Sequence, residues 1–200
     1  PIPNARLLVS KKGNIDLFAN PKKITKINKI LEKKIYLHDE RRIENILKHM
    51  SKKRVWLDTL SCSFYYKSIL GKRNSIIEKI DPIHFFKSIK NNTEIKNMKK
   101  SHLHDGVALT KFLFWIKKIN KKKITEVEAA KKLENFRKLN KNFLYPSFDT
   151  IAGSGKNGAI VHYRAKKEKC RTINRNDILL CDSGGQYKYG TTDVTRTICF

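Results

Sequence analysis

Asp182 and Asp193 stand eleven residues apart in the run Ile178-Leu-Leu-Cys-Asp182-Ser-Gly-Gly-Gln-Tyr-Lys-Tyr-Gly-Thr-Thr-Asp193-Val-Thr-Arg-Thr197, where two strand-like stretches flank a glycine-bearing turn. A hairpin centred near Tyr187 and Lys188 would set the two aspartates opposite each other, with Cβ atoms roughly 5 Å apart. Carboxylates that close repel, so either one takes up a proton or a cation sits between them. Such a pair suits hard or borderline divalent ions such as Mn²⁺, Mg²⁺, Co²⁺ or Zn²⁺. The alternative is a hairpin bearing two solvated aspartates. Twenty residues before Asp182 stands His162, and a lone strand histidine is ordinarily structural or solvated.

The neighbouring strings change that balance. Phe148-Asp-Thr-Ile-Ala-Gly-Ser-Gly-Lys-Asn-Gly-Ala-Ile-Val-His162-Tyr-Arg-Ala165, followed by Asp182-Ser-Gly-Gly-Gln-Tyr187 and Gly190-Thr-Thr-Asp-Val-Thr-Arg-Thr197, closely resembles the catalytic domain of Xaa-Pro aminopeptidases. These are dimetal peptidases of the creatinase and methionine aminopeptidase superfamily. The stretch from Pro82 through Met98 to Asp105-Gly-Val-Ala-Leu109 resembles the start of that domain, and residues 1–81 resemble the end of the domain before it. The resemblance implies that Asp182 ligates one metal, that Asp193 bridges both, and that His162 contacts substrate and helps proton transfer or stabilises the tetrahedral intermediate. It implies two divalent metal ions, Mn²⁺ first with Zn²⁺ or Co²⁺ as alternatives, and substrates that are peptides with proline in second position. Two histidines and two glutamates of the family site lie downstream of the paired aspartates, beyond Phe200. With Pro1 at one end and a strand-like run at the other, the sequence reads as a piece of a longer protein.

Gly153-Ser-Gly-Lys-Asn-Gly158 satisfies a dinucleotide fingerprint in letters only. That fingerprint needs a strand feeding a helix N-terminus, whereas Ala159-Ile-Val-His-Tyr163 reads as another strand. The glycines are expected instead to form a tight, backbone-permissive turn leading to His162.

The formal net charge of +26 raises nucleic acid as a partner. Its distribution lowers it again, because lysines such as Lys22, Lys23, Lys26, Lys29, Lys117, Lys118 and Lys121 to Lys123 are scattered over helix faces and turns. No arginine fork or interleaved aromatic platform accompanies them, so no specific nucleic-acid partner is expected. Cys62, Cys170, Cys181 and Cys199 lack metal or redox spacing, which favours reduced thiols and a cytoplasmic protein. No apolar run approaches 18 residues and no signal-peptide order begins the chain, so no membrane association is expected.

Two domains position these residues. In 1–81, Ala5–Ser10 and Asn14–Ala19 read as a hairpin through Lys11-Lys-Gly13, and Pro21 opens a helix with Ile24, Ile27, Ile30 and Leu31 on one face. Strand-like runs at 35–38, 54–58 and 75–80 alternate with helical stretches at 41–50 and 62–70, which is an α/β pattern. Its sheet is expected to lack strands that precede Pro1. Asp81-Pro82 marks the boundary. In 82–200, Ile95, Met98, Leu103, Val107, Phe114 and Ile116 follow helical spacing from Thr93 to about Asn120. His102 and His104 point to different faces of that helix and read as structural or solvated. Thr125-Glu-Val-Glu128 is a capping-box pattern ahead of Ala129, Leu133, Phe136 and Leu139. From Phe143 onward strands and turns dominate, so this half is α+β, helices on a curved antiparallel sheet. The resemblance names the whole as the end of a creatinase N-terminal-like α/β domain followed by the N-terminal half of a pita-bread catalytic domain.

The function expected is hydrolysis of the bond between an N-terminal residue and a following proline. Two rivals stand beside it: a truncated, non-catalytic relative that acts by binding, and a basic nucleic-acid module. The oligomeric state is left open, a homodimer of the full-length protein included.

Overall fold

Alternating short strands and helices build the first part of the chain. β1 (Ala5–Val9) and β2 (Ile15–Ala19) form the expected antiparallel hairpin, and β3 (Ile35–Asp39) lies parallel to β2 with Ile15 facing Ile35. A separate parallel pair, β4 (Arg54–Leu57) and β5 (Ser75–Glu78), is covered by α2 (Ile43–His49) and α3 (Phe64–Gly71) around Leu47, Val55 and Leu70. α1 spans Pro21–Ile24 and buries Ile24, while Ile27, Ile30 and Leu31 lie outside the described residues. The computed structural model describes residues 4–24, 34–118 and 123–200. α4 (Pro82–Ser88) ends this unit, and the chain divides between Ser88 and Ile89.

The second unit packs two helices on antiparallel strands. α5 (Asn92–Lys118) and α6 (Glu126–Lys138) cover the sheet ordered β11 (Val194–Ile198), β8 (Leu179–Ser183), β7 (Ile151–Ser154). A second sheet is ordered β10 (Gly190–Thr191), β9 (Gly185–Tyr187), β6 (Phe143–Pro146). Leu109, Phe112, Ile116, Leu133, Ala152, Leu179, Cys181 and Ile198 form the core between helices and sheet. Each large apolar side chain buried there contributes about 1.5–3 kcal/mol. The Thr125 hydroxyl accepts from Glu128 N–H while the Glu128 carboxylate accepts from Thr125 N–H, the reciprocal cap read from the sequence.

The buried face of α5 corrects the periodic reading. Ile95, Met98, Leu103, Val107 and Phe114 are exposed, and of that stripe only Ile116 is buried. The face turned inward is instead Ser101, Asp105, Ala108, Leu109, Phe112 and Ile116. Leu139, expected on the apolar face of α6, is 70% exposed at the helix C-cap. Polar residues occupy the inner face because they have a partner there. Arg137 Nε donates to Asp105 Oδ1 at 2.7 Å and Nη2 to Asp105 Oδ2 at 3.1 Å, with both side chains almost wholly buried. Nη2 also donates to Ser183 Oγ at 3.1 Å, and the Tyr187 hydroxyl donates to Asp105 Oδ1 at 2.8 Å. Burial first, and the bond to Asp105 second, push the Tyr187 phenol well above its usual range. One ion pair thus ties α5 and α6 to β8 and β9.

Removing one partner of a buried pair strands the other charge and costs about 3–5 kcal/mol. Arg137→Met is therefore expected to lower the urea unfolding free energy of the chain by that amount, and Asp105→Leu/Arg137→Met to recover much of it. An unchanged midpoint in Arg137→Met would mean that the pair carries no weight.

Candidate metal centre

Burial along β8 alternates, with Leu179, Cys181 and Ser183 inward and Leu180 and Asp182 less covered. Burial pushes the Cys181 thiol up to about 11, as befits a core residue, and all four cysteines are free. Asp182 therefore lies on the face of the sheet that the helices leave open. Its hairpin partner is not Asp193. Tyr187 pairs with Gly190 and Gln186 with Thr191, so the turn is Lys188-Tyr189, and the same register carries through to Ser183 facing Val194 and Asp182 facing Thr195. The expected centre was one residue too early. Tyr187 stays in the strand because its ring is buried and its hydroxyl bonds Asp105.

Asp193 lies just before β11, two residues from Thr195, the residue that faces Asp182; continued alternation would put the two aspartates on one side of the hairpin. Such diagonal neighbours lie about 7 Å apart, farther than a directly facing pair. That separation leaves room for cations between the carboxyl groups. Thr195 Oγ1 donates to Asp182 Oδ1 at 2.7 Å, which fixes the orientation of that carboxylate. Among the described residues Asp193 is exposed and has no hydrogen-bonding or ionic partner, although lysines and arginines outnumber acids 44 to 18 in the chain. Two oxygen-donor carboxylates, one oriented and one unpaired, fit hard or borderline divalent ions. They form a partial donor set, because among the described residues no three His, Cys, Asp or Glu side chains converge.

Gly184 lets the hairpin pass from one sheet to the other. A Cβ at Gly184 would stand 1.9 Å from the Thr192 carbonyl oxygen and 2.3 Å from Ser147 Oγ. That closeness is held by Ser147 Oγ donating to Thr192 O at 2.8 Å and by Gly185 N–H donating to Thr192 Oγ1 at 2.9 Å.

His162 is not on a strand. β7 runs into a 3₁₀ turn, Gly155–Ala159, and then a bend in which exposed His162 has φ 54°. The expected strand Ala159–Tyr163 does not form, because the chain folds back at Gly155, where φ is 55° and Asp177 leaves no room for a Cβ. The permissive turn read at Gly153–Gly158 is present. Among the described residues no hydrogen bond or ion pair joins His162 to Asp182 or Asp193; the histidine belongs to a neighbouring turn.

Sequence reasoning missed the residues that shape this turn. Glu126, given no role of its own in the capping-box pattern, is fully buried and accepts from Ser154 N–H, Asn157 Nδ2, the Tyr163 hydroxyl and Arg171 N–H. A second glutamate inside a motif whose cap needs only Glu128 was the available signal. His104 hydrogen-bonds the Tyr189 hydroxyl at the hairpin turn, and His102 Nδ1 bonds the Met98 carbonyl, which makes both structural.

Helices backing an antiparallel sheet, with Asp182 on its open face, follow an α/β unit of short strands, and this two-part order is matched by two family models. Residues 1–94 match the Creatinase/Prolidase N-terminal domain and residues 96–200 match Metallopeptidase family M24. The chain belongs to metallopeptidase family M24. It is 48% identical over 134 residues to a probable Xaa-Pro aminopeptidase P of Paracoccidioides brasiliensis, covering 66% of this chain and 22% of that protein. Against an Xaa-Pro aminopeptidase of Drosophila melanogaster it is 43% identical over 149 residues, covering 74% and 24%. The X-prolyl aminopeptidase of Caenorhabditis elegans, described as a cytosolic enzyme with a di-nuclear active site, superposes with a TM-score of 0.84 at 28% identity, over 99% of this chain and 34% of that one. Prolidase from Pyrococcus furiosus shares the fold, with a TM-score of 0.72 over 98% of this chain and 55% of that one, at 22% identity. The chain thus spans less than a quarter of the curated relatives. Its fold is a creatinase N-terminal domain followed by the start of the pita-bread catalytic domain.

Gly184→Ala is expected to open the hairpin, since forced overpacking costs about 1–3 kcal/mol and here meets backbone. Hydrogen exchange at the Gly185 and Thr192 amides checks it; protection unchanged from wild type would show that the close approach is not required.

Proposed function

We propose that this chain supplies the N-terminal part of a metal-dependent Xaa-Pro aminopeptidase, with Asp182 and Asp193 as ligands to two divalent metal ions and His162 facing the substrate. The observation that carries this is the exposed carboxylate of Asp193, without a partner among the described residues, two positions from the Thr195 that orients Asp182, in a chain of the M24 family. The di-nuclear site of the C. elegans relative supports a count of two. Mn²⁺ is the proposed metal, with Zn²⁺ or Co²⁺ as alternatives. The other donors and the general base come, in this proposal, from outside these 200 residues.

The metal pair, when bound, lowers the pKa of a water and polarises the scissile carbonyl. The chain's own residues do the rest. Thr195 occupies Asp182 Oδ1, which leaves the other carboxylate oxygen for a metal. Asp193, with neither oxygen engaged among the described residues, is the ligand suited to bridging. His162, exposed in its turn, would hold a substrate oxygen or pass a proton to it. Peptides with proline in second position fit this enzyme class because the imide nitrogen carries no hydrogen and the ring fixes the local chain, which makes the bond a poor substrate for general peptidases. A cytoplasmic setting is supported by four free cysteines, and among the described residues no helix is long and apolar enough to cross a membrane.

The 200-residue chain alone is expected to hydrolyse no Xaa-Pro peptide with added Mn²⁺ and to bind the ion weakly, because two carboxylates without the remaining donors and base neither hold nor activate water. Turnover by the purified chain, or submicromolar affinity by calorimetry, would contradict this. In the full-length protein Asp193→Ala is expected to release both metals and Asp182→Ala mainly one. His162→Ala is expected to keep its metals while kcat/KM falls about 10²–10⁴-fold, the usual contribution of a positioned proton donor. Metal analysis of the three variants reads the assignments directly. Loss of metal in His162→Ala would make the histidine a ligand, and full activity would make it structural.

A further inference from the structure

The turn that carries His162 has no strand to pair with, so something else must hold it. Glu126, in the first turn of α6, meets the turn from beneath. Its Oε1 accepts from Ser154 N–H at 2.7 Å and from Asn157 Nδ2 at 3.0 Å. Its Oε2 accepts from the Tyr163 hydroxyl at 2.7 Å and from Arg171 N–H at 2.9 Å. Asn157 Nδ2 also donates to the Tyr163 hydroxyl at 2.9 Å. These donors come from residues on both sides of His162, and Tyr163 is its immediate neighbour. The left-handed backbone of His162, at φ 54°, is costly for a residue with a Cβ and persists only where the surroundings impose it.

A buried carboxylate is a costly way to pack a loop. Among the described residues no ion pair engages Glu126, and its side-chain partners are N–H and O–H donors. An ionised carboxylate accepts through both oxygens and donates nothing, which is what a convergence of four donors requires. Burial first, and the bond to Glu126 second, push the Tyr163 phenol up to about 12, so it stays a donor at neutral pH.

We infer that Glu126 is a positioning residue for His162: through Asn157 and Tyr163 it fixes the left-handed turn that presents the imidazole to substrate. This rests on the proposed role of His162 and extends it to a residue on another element. Glu126→Gln replaces one acceptor oxygen by an NH₂, which faces a backbone N–H or a hydroxyl that already donates. The turn then loosens while β8 and β11 keep their register.

The experiment is a double-mutant cycle in the full-length Mn²⁺-loaded protein with Ala-Pro-Ala as substrate, read together with hydrogen exchange and bound metal. Glu126→Gln is expected to lower kcat/KM about 10-fold or more when His162 is present, and less than about 2-fold in the His162→Ala background. Metal content is expected to stay unchanged, and exchange to rise only in 155–164. Tyr163→Phe, which removes a single donor, is expected to show the same non-additivity at smaller size, and serves should Glu126→Gln fail to fold. Equal losses in both backgrounds, or exchange rising across the whole unit, would overturn the proposal by making Glu126 a general structural residue. Full activity of His162→Ala would instead defeat the substrate role of His162, and the positioning role with it.

Discussion

The buried pair of Asp105 and Arg137 is the constraint on which the second unit depends. It spans α5 and α6, and through Ser183 and Tyr187 it reaches both sheets at the point where the hairpin crosses between them. As a source of stability such a pair is weak, because desolvating two charges offsets most of their attraction. Arg137 Nη1 even lacks an acceptor among the described residues. What the pair supplies is register. Sliding the hairpin by one residue would pull Ser183 and Tyr187 away from groups that cannot be left alone in the core, and would turn Asp182 toward the helices. The placement of Asp182 on the open face is therefore a consequence of contacts made on the other.

That division of labour explains which parts were legible from sequence. Strand β8 announces itself as a short apolar run before a glycine-bearing turn, the capping box by its letters, and the N-terminal hairpin by Lys11-Lys-Gly13, since each depends on residues close in the chain. The inner face of α5 was misread because Asp105 and Ser101 are polar, and polar residues are assigned outward unless a distant partner such as Arg137 is known. Hairpin register failed for the same reason. Centres at Tyr187-Lys188 and Lys188-Tyr189 are equivalent by composition, and the choice is made by Tyr187 reaching Asp105, 82 residues earlier.

His162 shows the limit from the other side. The string around it carries family resemblance, and its apolar residues suggest a strand. Asn157 and Tyr163 are instead consumed by Glu126, a residue 36 positions before His162, so the chain turns where its apolar run reads as a strand. Buried polar contacts between distant residues shape both the hairpin and the turn, while apolar burial fills the space behind them. The exposed faces are left to charge and chemistry, and there Asp193 has no partner among the described residues despite the excess of lysine.

The central claim is that Asp182 and Asp193 together face a metal pair. Anomalous scattering from crystals of the full-length protein grown with Mn²⁺ tests it most directly. Two peaks are expected on the open face of the β8 and β11 hairpin, both within coordinating distance of the Asp193 carboxylate and one of them also within reach of Asp182. Peaks elsewhere, or a single peak that touches neither aspartate, would contradict it.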